Sequence, residues 1–122
     1  MQAAIFYGPR DIRFDDRPEP TIIQPTDAII RLSATCICGS DLWPYRNIQQ
    51  IAQTTPMGHE YRGIVEEVGR EVRNIKTGQF VVGSFATSDN TCVICHHGYQ
   101  SSCVQREFMS THRRNRCSHQ GA

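Results

Sequence analysis

The stretch Pro56-Met57-Gly58-His59-Glu60-Tyr61-Arg62-Gly63-Ile64-Val65-Glu66-Glu67-Val68-Gly69 decides the reading of this chain. A histidine flanked by glycine and a carboxylate leads into a run of β-branched and aromatic residues. Glycines stand in that run where a bulge or a close approach of backbones is expected. Twenty-one residues earlier, Cys38-Gly39-Ser40-Asp41 offers a thiol in a similar setting. Cysteine and histidine are the usual ligands of zinc, and folding can join two that lie far apart in sequence. Taken alone, a Cys and a His at this distance are better explained by a buried thiol and a hydrogen-bonded core histidine.

Working outward, strands dominate. Residues 2 to 7 are apolar and end at Gly8-Pro9, and Ile12-Arg13-Phe14 reads as the return strand of a hairpin. Pro18, Pro20 and Pro25 mark an extended loop, because proline fixes φ and lacks a ladder donor. Asp27 to Cys36 alternates with Ala28, Ile30, Leu32 and Ala34 on one side, so it reads as a strand that delivers Cys38 just past its end. Ser40-Asp41 is placed to cap a short helix through Leu42 and Trp43, which Pro44 interrupts, and Asn47 to Thr55 reads as surface loop or a single helical turn. Thr77-Gly78 is a turn, and Gln79 to Ala86 is one further strand. The fold class expected is mainly β, a small partial barrel.

A second cluster lies in residues 89 to 103. Cys92-Val93-Ile94-Cys95 is the tight turn by which two thiolates reach one tetrahedral ion, and Cys103 follows eight residues on. Asp89, three before Cys92, is the favoured fourth ligand, with His96 and His97 as rivals. A redox role for Cys-x-x-Cys calls for a βαβ setting that the sequence does not offer. From Ser110 the texture changes to an arginine-rich stretch without large apolar residues, expected to be a disordered tail. His112, Cys117 and His119 lie in it, and Arg113, Arg114 and Arg116 read as a solvated charge run.

Composition narrows the classes. The 13 basic and 12 acidic residues leave a formal charge of +1, so no net field draws nucleic acid or an anionic surface. No apolar run approaches the roughly 18 residues that a membrane span needs. The first ten residues carry no basic leader, which makes the cytoplasm the expected location. In that reducing compartment six cysteines are expected to hold metal rather than disulfides. There is no glycine-rich phosphate loop and no Gly-x-Ser-x-Gly.

Read together, Gly58-His59-Glu60-x-x-Gly63-x5-Gly69-x-x-Val72, with Cys38-Gly39-Ser40-Asp41 before it, resembles the signature of zinc-dependent alcohol dehydrogenases of the medium-chain family. The resemblance covers residues 1 to about 109 and implies an N-terminal GroES-like catalytic domain, incomplete, with a structural-zinc lobe at 89 to 103 and an aberrant tail at 110 to 122. It implies that Cys38 and His59 bind a catalytic zinc and that Glu60 is a carboxylate on or beside it. Ser40 passes the alcohol's proton toward solvent, and Asp41 orients the histidine. Asp89, Cys92, Cys95 and Cys103 hold the structural zinc, Asp89 standing where relatives usually have cysteine.

The implied reaction moves hydride from a small alcohol to NAD or NADP, or back to an aldehyde, in a longer parent that can be a homo-oligomer. The 122-residue chain, without a dinucleotide-binding domain, is expected to be inactive. Trp43 stands where many relatives carry a histidine of the proton relay, and the third catalytic-zinc ligand is missing. A frameshift or premature stop is the expected origin of the residues after about Ser110. The alternative reading is a zinc-binding module without catalysis, and a GroES-like chaperonin partner would leave the cysteines unexplained.

Overall fold

The computed structural model describes residues 1–88 and 90–108. Asp89 and the expected tail therefore lie outside the described residues. Among the described residues, eight strands and two one-turn helices follow in the order β1 (Gln2–Gly8), β2 (Asp11–Asp16), β3 (Ala28–Cys36), α1 (Leu42–Tyr45), β4 (Thr55–Pro56), β5 (Glu60–Val68), β6 (Phe80–Gly83), β7 (Ala86–Thr87), α2 (Val93–His96) and β8 (Glu107–Phe108). Single 3-10 turns stand at Gly39–Asp41 and Gln100–Ser102. The mainly-β expectation holds.

Three sheets form, ordered β2-β1-β4, β3-β5-β6 and β7-β8, and every pairing is antiparallel. β1 is the middle strand of its sheet and buries neighbours on both faces, with Ile5 and Phe6 1% and 3% exposed. Ile29 of β3 and Val65 of β5 complete the main core. The β1–β2 hairpin carries its own polar clasp, in which the Tyr7 hydroxyl donates to Asp15 and the Arg13 guanidinium lies over the Tyr7 ring.

The alternation expected along β3 holds only in part. Leu32 and Ala34 are half-buried between exposed neighbours and Ile30 is half-buried too, yet the residue that enters the core is Ile29. The pairing of β3 with β5 shifts between Ile29 and Ile30, where Glu66 of β5 is the extra residue, and again between Leu32 and Ala34, where Ser33 of β3 is.

Three other expectations are corrected. The run Gln79 to Ala86 breaks at Ser84-Phe85, so that β6 lies in one sheet and β7 in another. Thr55–Pro56, read as the end of a loop, pairs with Phe6 and Ile5 of β1. The turn after β3 is capped at Cys38 rather than at Ser40-Asp41: the Asp41 carboxylate accepts the Cys38 backbone N–H at 2.9 Å, one turn back.

The glycines of the central stretch have a steric cause. A Cβ on Gly63 would sit 2.2 Å from the Arg31 carbonyl oxygen of β3, inside any van der Waals contact. Only glycine lets β3 and β5 approach here. Gly63→Ala is expected to lower unfolding free energy by about 1–3 kcal/mol, the usual range for overpacking. Urea denaturation with Gly78→Ala as a companion separates the causes, since Gly78 has open space but a φ of +84°; equal stability of Gly63→Ala and the parent would remove the steric account.

Candidate metal centres

Register brings the first cluster together. Cys36 pairs with Glu60 across the β3–β5 ladder, and the Thr35 hydroxyl donates to the Glu60 carbonyl at 2.6 Å. Cys38 lies two residues past one end of that pair and His59 one residue before the other. Antiparallel strands joined at such a pair place both residues at the same end of the sheet. Gly58, at φ +97°, turns the chain from β4 in one sheet into β5 in the other. His59 sits at that crossing.

The ligand atoms of Cys38, His59 and Glu60 lie within 4.8 Å of one another. Asp41 organises them. One of its oxygens accepts the Cys38 N–H, and the other stands 3.3 Å from His59 Nδ1, with both side chains 12% exposed. A carboxylate on Nδ1 holds the proton there and turns the Nε2 lone pair outward, the arrangement of metal-ligating histidines. Ser40 Oγ is 3.3 Å from His59 Nε2, so a hydroxyl stands beside the position a metal would take.

The donor set of thiol, imidazole and carboxylate suits zinc. Phe85, in the break between β6 and β7, meets the His59 ring edge-on at 6.2 Å between centroids. Sequence reading had placed Phe85 inside a continuous strand, where no local signal marked it as a neighbour of His59. Trp43 is 54% exposed, and an indole N–H donates without accepting, so it cannot relay a proton as imidazole does.

The second cluster is built on α2. Cys92 precedes the helix and Cys95 lies within it, where its backbone N–H reaches Cys92 Sγ at 3.4 Å. Cys103 closes the loop through the turn Gln100–Ser102. Cys92 Sγ lies 3.5 Å from Cys95 Sγ and 3.9 Å from Cys103 Sγ. A zinc–sulfur bond of about 2.3 Å gives a tetrahedral edge of about 3.8 Å, so the three thiols fit that ion.

Cys95 and Cys103 are the buried side chains of this segment, while Val93, Tyr99 and Val104 are exposed. The lobe has thiols where a core would be. His97 Nδ1 bonds the Val93 carbonyl at 2.8 Å, and neither His96 nor His97 joins the three sulfurs among the described residues.

Two clusters of candidate metal ligands stand on a mainly-β scaffold. The chain belongs to the alcohol dehydrogenase GroES-like domain family, whose model matches residues 24–121. It is 38% identical over 103 residues to zinc-type alcohol dehydrogenase B of Aspergillus flavus, covering 84% of this chain and 24% of that protein. Among solved structures it resembles alcohol dehydrogenase TADH from Thermus sp. ATN1, with TM-score 0.83 and 29% identity over 90% of this chain and 32% of that one. It also resembles zinc-dependent alcohol dehydrogenase 2 from Streptococcus pneumonia in its apo form, with TM-score 0.76 and 37% identity over 86% and 30%. The chain thus spans about a quarter to a third of these proteins.

Cys92 and Cys95 differ in acidity. Backbone hydrogen bonds from Val104 and Cys95 lower the Cys92 thiol to about 7, whereas burial, then hydrogen bonds with its neighbours, pushes Cys95 up to about 12. A lowered thiol pKa means that the thiolate exists above that pH and is lost below it. In the reduced, metal-free chain, iodoacetamide is expected to modify Cys92 first, at a rate half-maximal near pH 7. Peptide mass mapping across pH checks this; a Cys92 profile centred near 9 would contradict it.

Proposed function

We propose that this chain is the zinc-binding portion of a zinc-dependent alcohol dehydrogenase acting on small alcohols and aldehydes. The observation that carries the proposal is the meeting of Cys38, His59 and Glu60 at one end of the β3–β5 pair, with Asp41 behind and Ser40 beside them. Zinc, when bound, supplies a Lewis acid that polarises the alcohol oxygen so that hydride can pass to a nicotinamide. Cys38 and His59 hold the ion through a thiolate and Nε2, with Glu60 on or beside it. Asp41 keeps the His59 proton on Nδ1. Ser40, 3.3 Å from Nε2, takes up and passes on the proton that the alcohol loses.

The nicotinamide, NAD or NADP, belongs to a dinucleotide-binding domain of a longer parent, since no glycine-rich phosphate loop occurs in these 122 residues. No helix among the described residues is long and apolar enough to cross a membrane.

At the lobe, Cys92, Cys95, Cys103 and Asp89 are proposed to hold a structural zinc. A lobe that buries thiols in place of a core owes its fold to that ion, which can contribute ~10–16 kcal/mol of apparent binding energy in small peptides. The same feature favours a second reading, a zinc module without catalysis of its own.

Zinc counting separates the two. The purified chain is expected to bind two zinc ions, falling to one in Cys38→Ser and to one in Cys92→Ser. A single ion that only Cys92→Ser removes would leave the module reading alone. No alcohol-dependent NAD(P)H should form with the 122-residue chain.

Asp41→Asn tests the arrangement around His59. Loss of the carboxylate is expected to weaken zinc at Cys38 and His59 by 10- to 100-fold, the usual effect of removing a partner behind a ligating histidine, and to spare the lobe. Competition with a fluorescent zinc chelator measures both sites, and unchanged affinity at the first would show that Asp41 does not orient the ligand.

A further inference from the structure

Two thiols of the lobe share one turn of backbone. Cys92 precedes α2 and Cys95 lies within it, and the turn is closed by the His96 N–H on the Cys92 carbonyl at 3.0 Å and by the Cys95 N–H on Cys92 Sγ at 3.4 Å. The two sulfurs stand 3.5 Å apart. Cys103 comes from the separate turn Gln100–Ser102, and its sulfur is 3.9 Å from that of Cys92.

The sulfurs of a disulfide are about 2.0 Å apart, so Cys92 and Cys95 must close by about 1.5 Å to be joined. Rotation about their χ1 bonds covers that distance while the backbone turn stays closed. Exposure then divides the roles. Cys92 is half-buried, whereas Cys95 and Cys103 are 5% and 3% exposed, so a small oxidant arriving from solvent meets Cys92 first. Cys95 stands behind it. An accessible cysteine with a second thiol poised beside it is the arrangement of cysteines that oxidise reversibly.

We infer that Cys92 and Cys95 form a reversible disulfide under hydroperoxide, a modification that excludes metal from the lobe. The Cys92 sulfur attacks one peroxide oxygen: an S–O bond forms, the O–O bond breaks, and the other oxygen leaves as water after taking a proton. The Cys95 sulfur then attacks the Cys92 sulfur, forming the S–S bond, breaking the S–O bond and releasing a second water. Two thiols give up two electrons and two protons, and hydrogen peroxide takes up both pairs. An external dithiol reverses the step by exchange. The redox partner is the chain's own cysteine pair, so no βαβ scaffold is required. The pairing rests on sulfur geometry alone. Its consequence for metal rests on the zinc-lobe reading above, because joined sulfurs are no longer thiolates that can hold an ion.

The test uses the 122-residue chain with Cys36→Ser, Cys38→Ser and Cys117→Ser, which leaves only the three lobe thiols. Treated metal-free with a stoichiometric amount of hydrogen peroxide, it is expected to fall from three free thiols to one. Proteolysis after Tyr99 parts Cys103 from the other two, so mass mapping assigns the link. The peptide with Cys92 and Cys95 should be lighter by two hydrogens and closed to iodoacetamide, while Cys103 is alkylated. Dithiothreitol should restore all three thiols. The zinc-loaded chain should lose thiols roughly tenfold more slowly, since bound ion withdraws them by mass action, and the oxidised chain should bind no zinc until it is reduced.

A link through Cys103, a link between chains, irreversible loss of Cys92 alone, or three thiols that survive the peroxide would each overturn the inference. A Cys92–Cys95 link that forms equally fast with and without zinc, in a chain that binds no zinc, leaves the disulfide standing and removes the metal reading of the lobe.

Discussion

One carboxylate ties the first centre together. Asp41 spends one oxygen on the backbone of Cys38 and turns the other toward His59 Nδ1, so a single side chain fixes where the thiol begins and which nitrogen of the imidazole is free. Both the carboxylate and the histidine are largely withdrawn from water, where such a contact is stronger than at an exposed surface. The rest of the scaffold exists to bring these groups within reach. β3 ends at Cys36, β5 begins at Glu60, and the two are opposite one another in the ladder.

The two centres are built differently. The first sits at the crossing of two sheets, on strands anchored by Ile5, Phe6, Ile29 and Val65, and its geometry is held by ordinary packing and hydrogen bonds. The second has almost nothing apolar beneath it. Its buried side chains are thiols, held near one another by a helical turn and by hydrogen bonds onto sulfur. As proposed, a metal would add to the packing of the first and stand in for a core in the second. This contrast explains why a chain belonging to a catalytic family can also be read as a metal-binding module.

Much of the arrangement was legible along the chain. The Gly58-His59-Glu60 signature, the Cys38 to Asp41 turn and the Cys92, Cys95, Cys103 spacing named the family and grouped the thiols. Those features are local or motif-bound, and one side chain's chemistry suffices to read them. The glycine at 63 was legible as a close approach, though which backbone approaches it was not. Phe85 escaped notice because its importance lies in a strand break that no residue of Gln79 to Ala86 announces. The register shift beside Ile29 escaped for a related reason: the extra residue, Glu66, belongs to the partner strand β5, and pairing is a property of two strands.

The sequence by itself determined the strand-rich class, the family and the residue types at both centres, because ligand chemistry and turn chemistry are carried by individual side chains and their spacing. Tertiary structure alone decided that Asp41 faces Nδ1 rather than solvent, that Ser40 stands beside Nε2, and that the lobe gathers three sulfurs without either neighbouring histidine. Those outcomes depend on ladder register and on which direction a side chain leaves its backbone, and both are fixed only when distant segments pack.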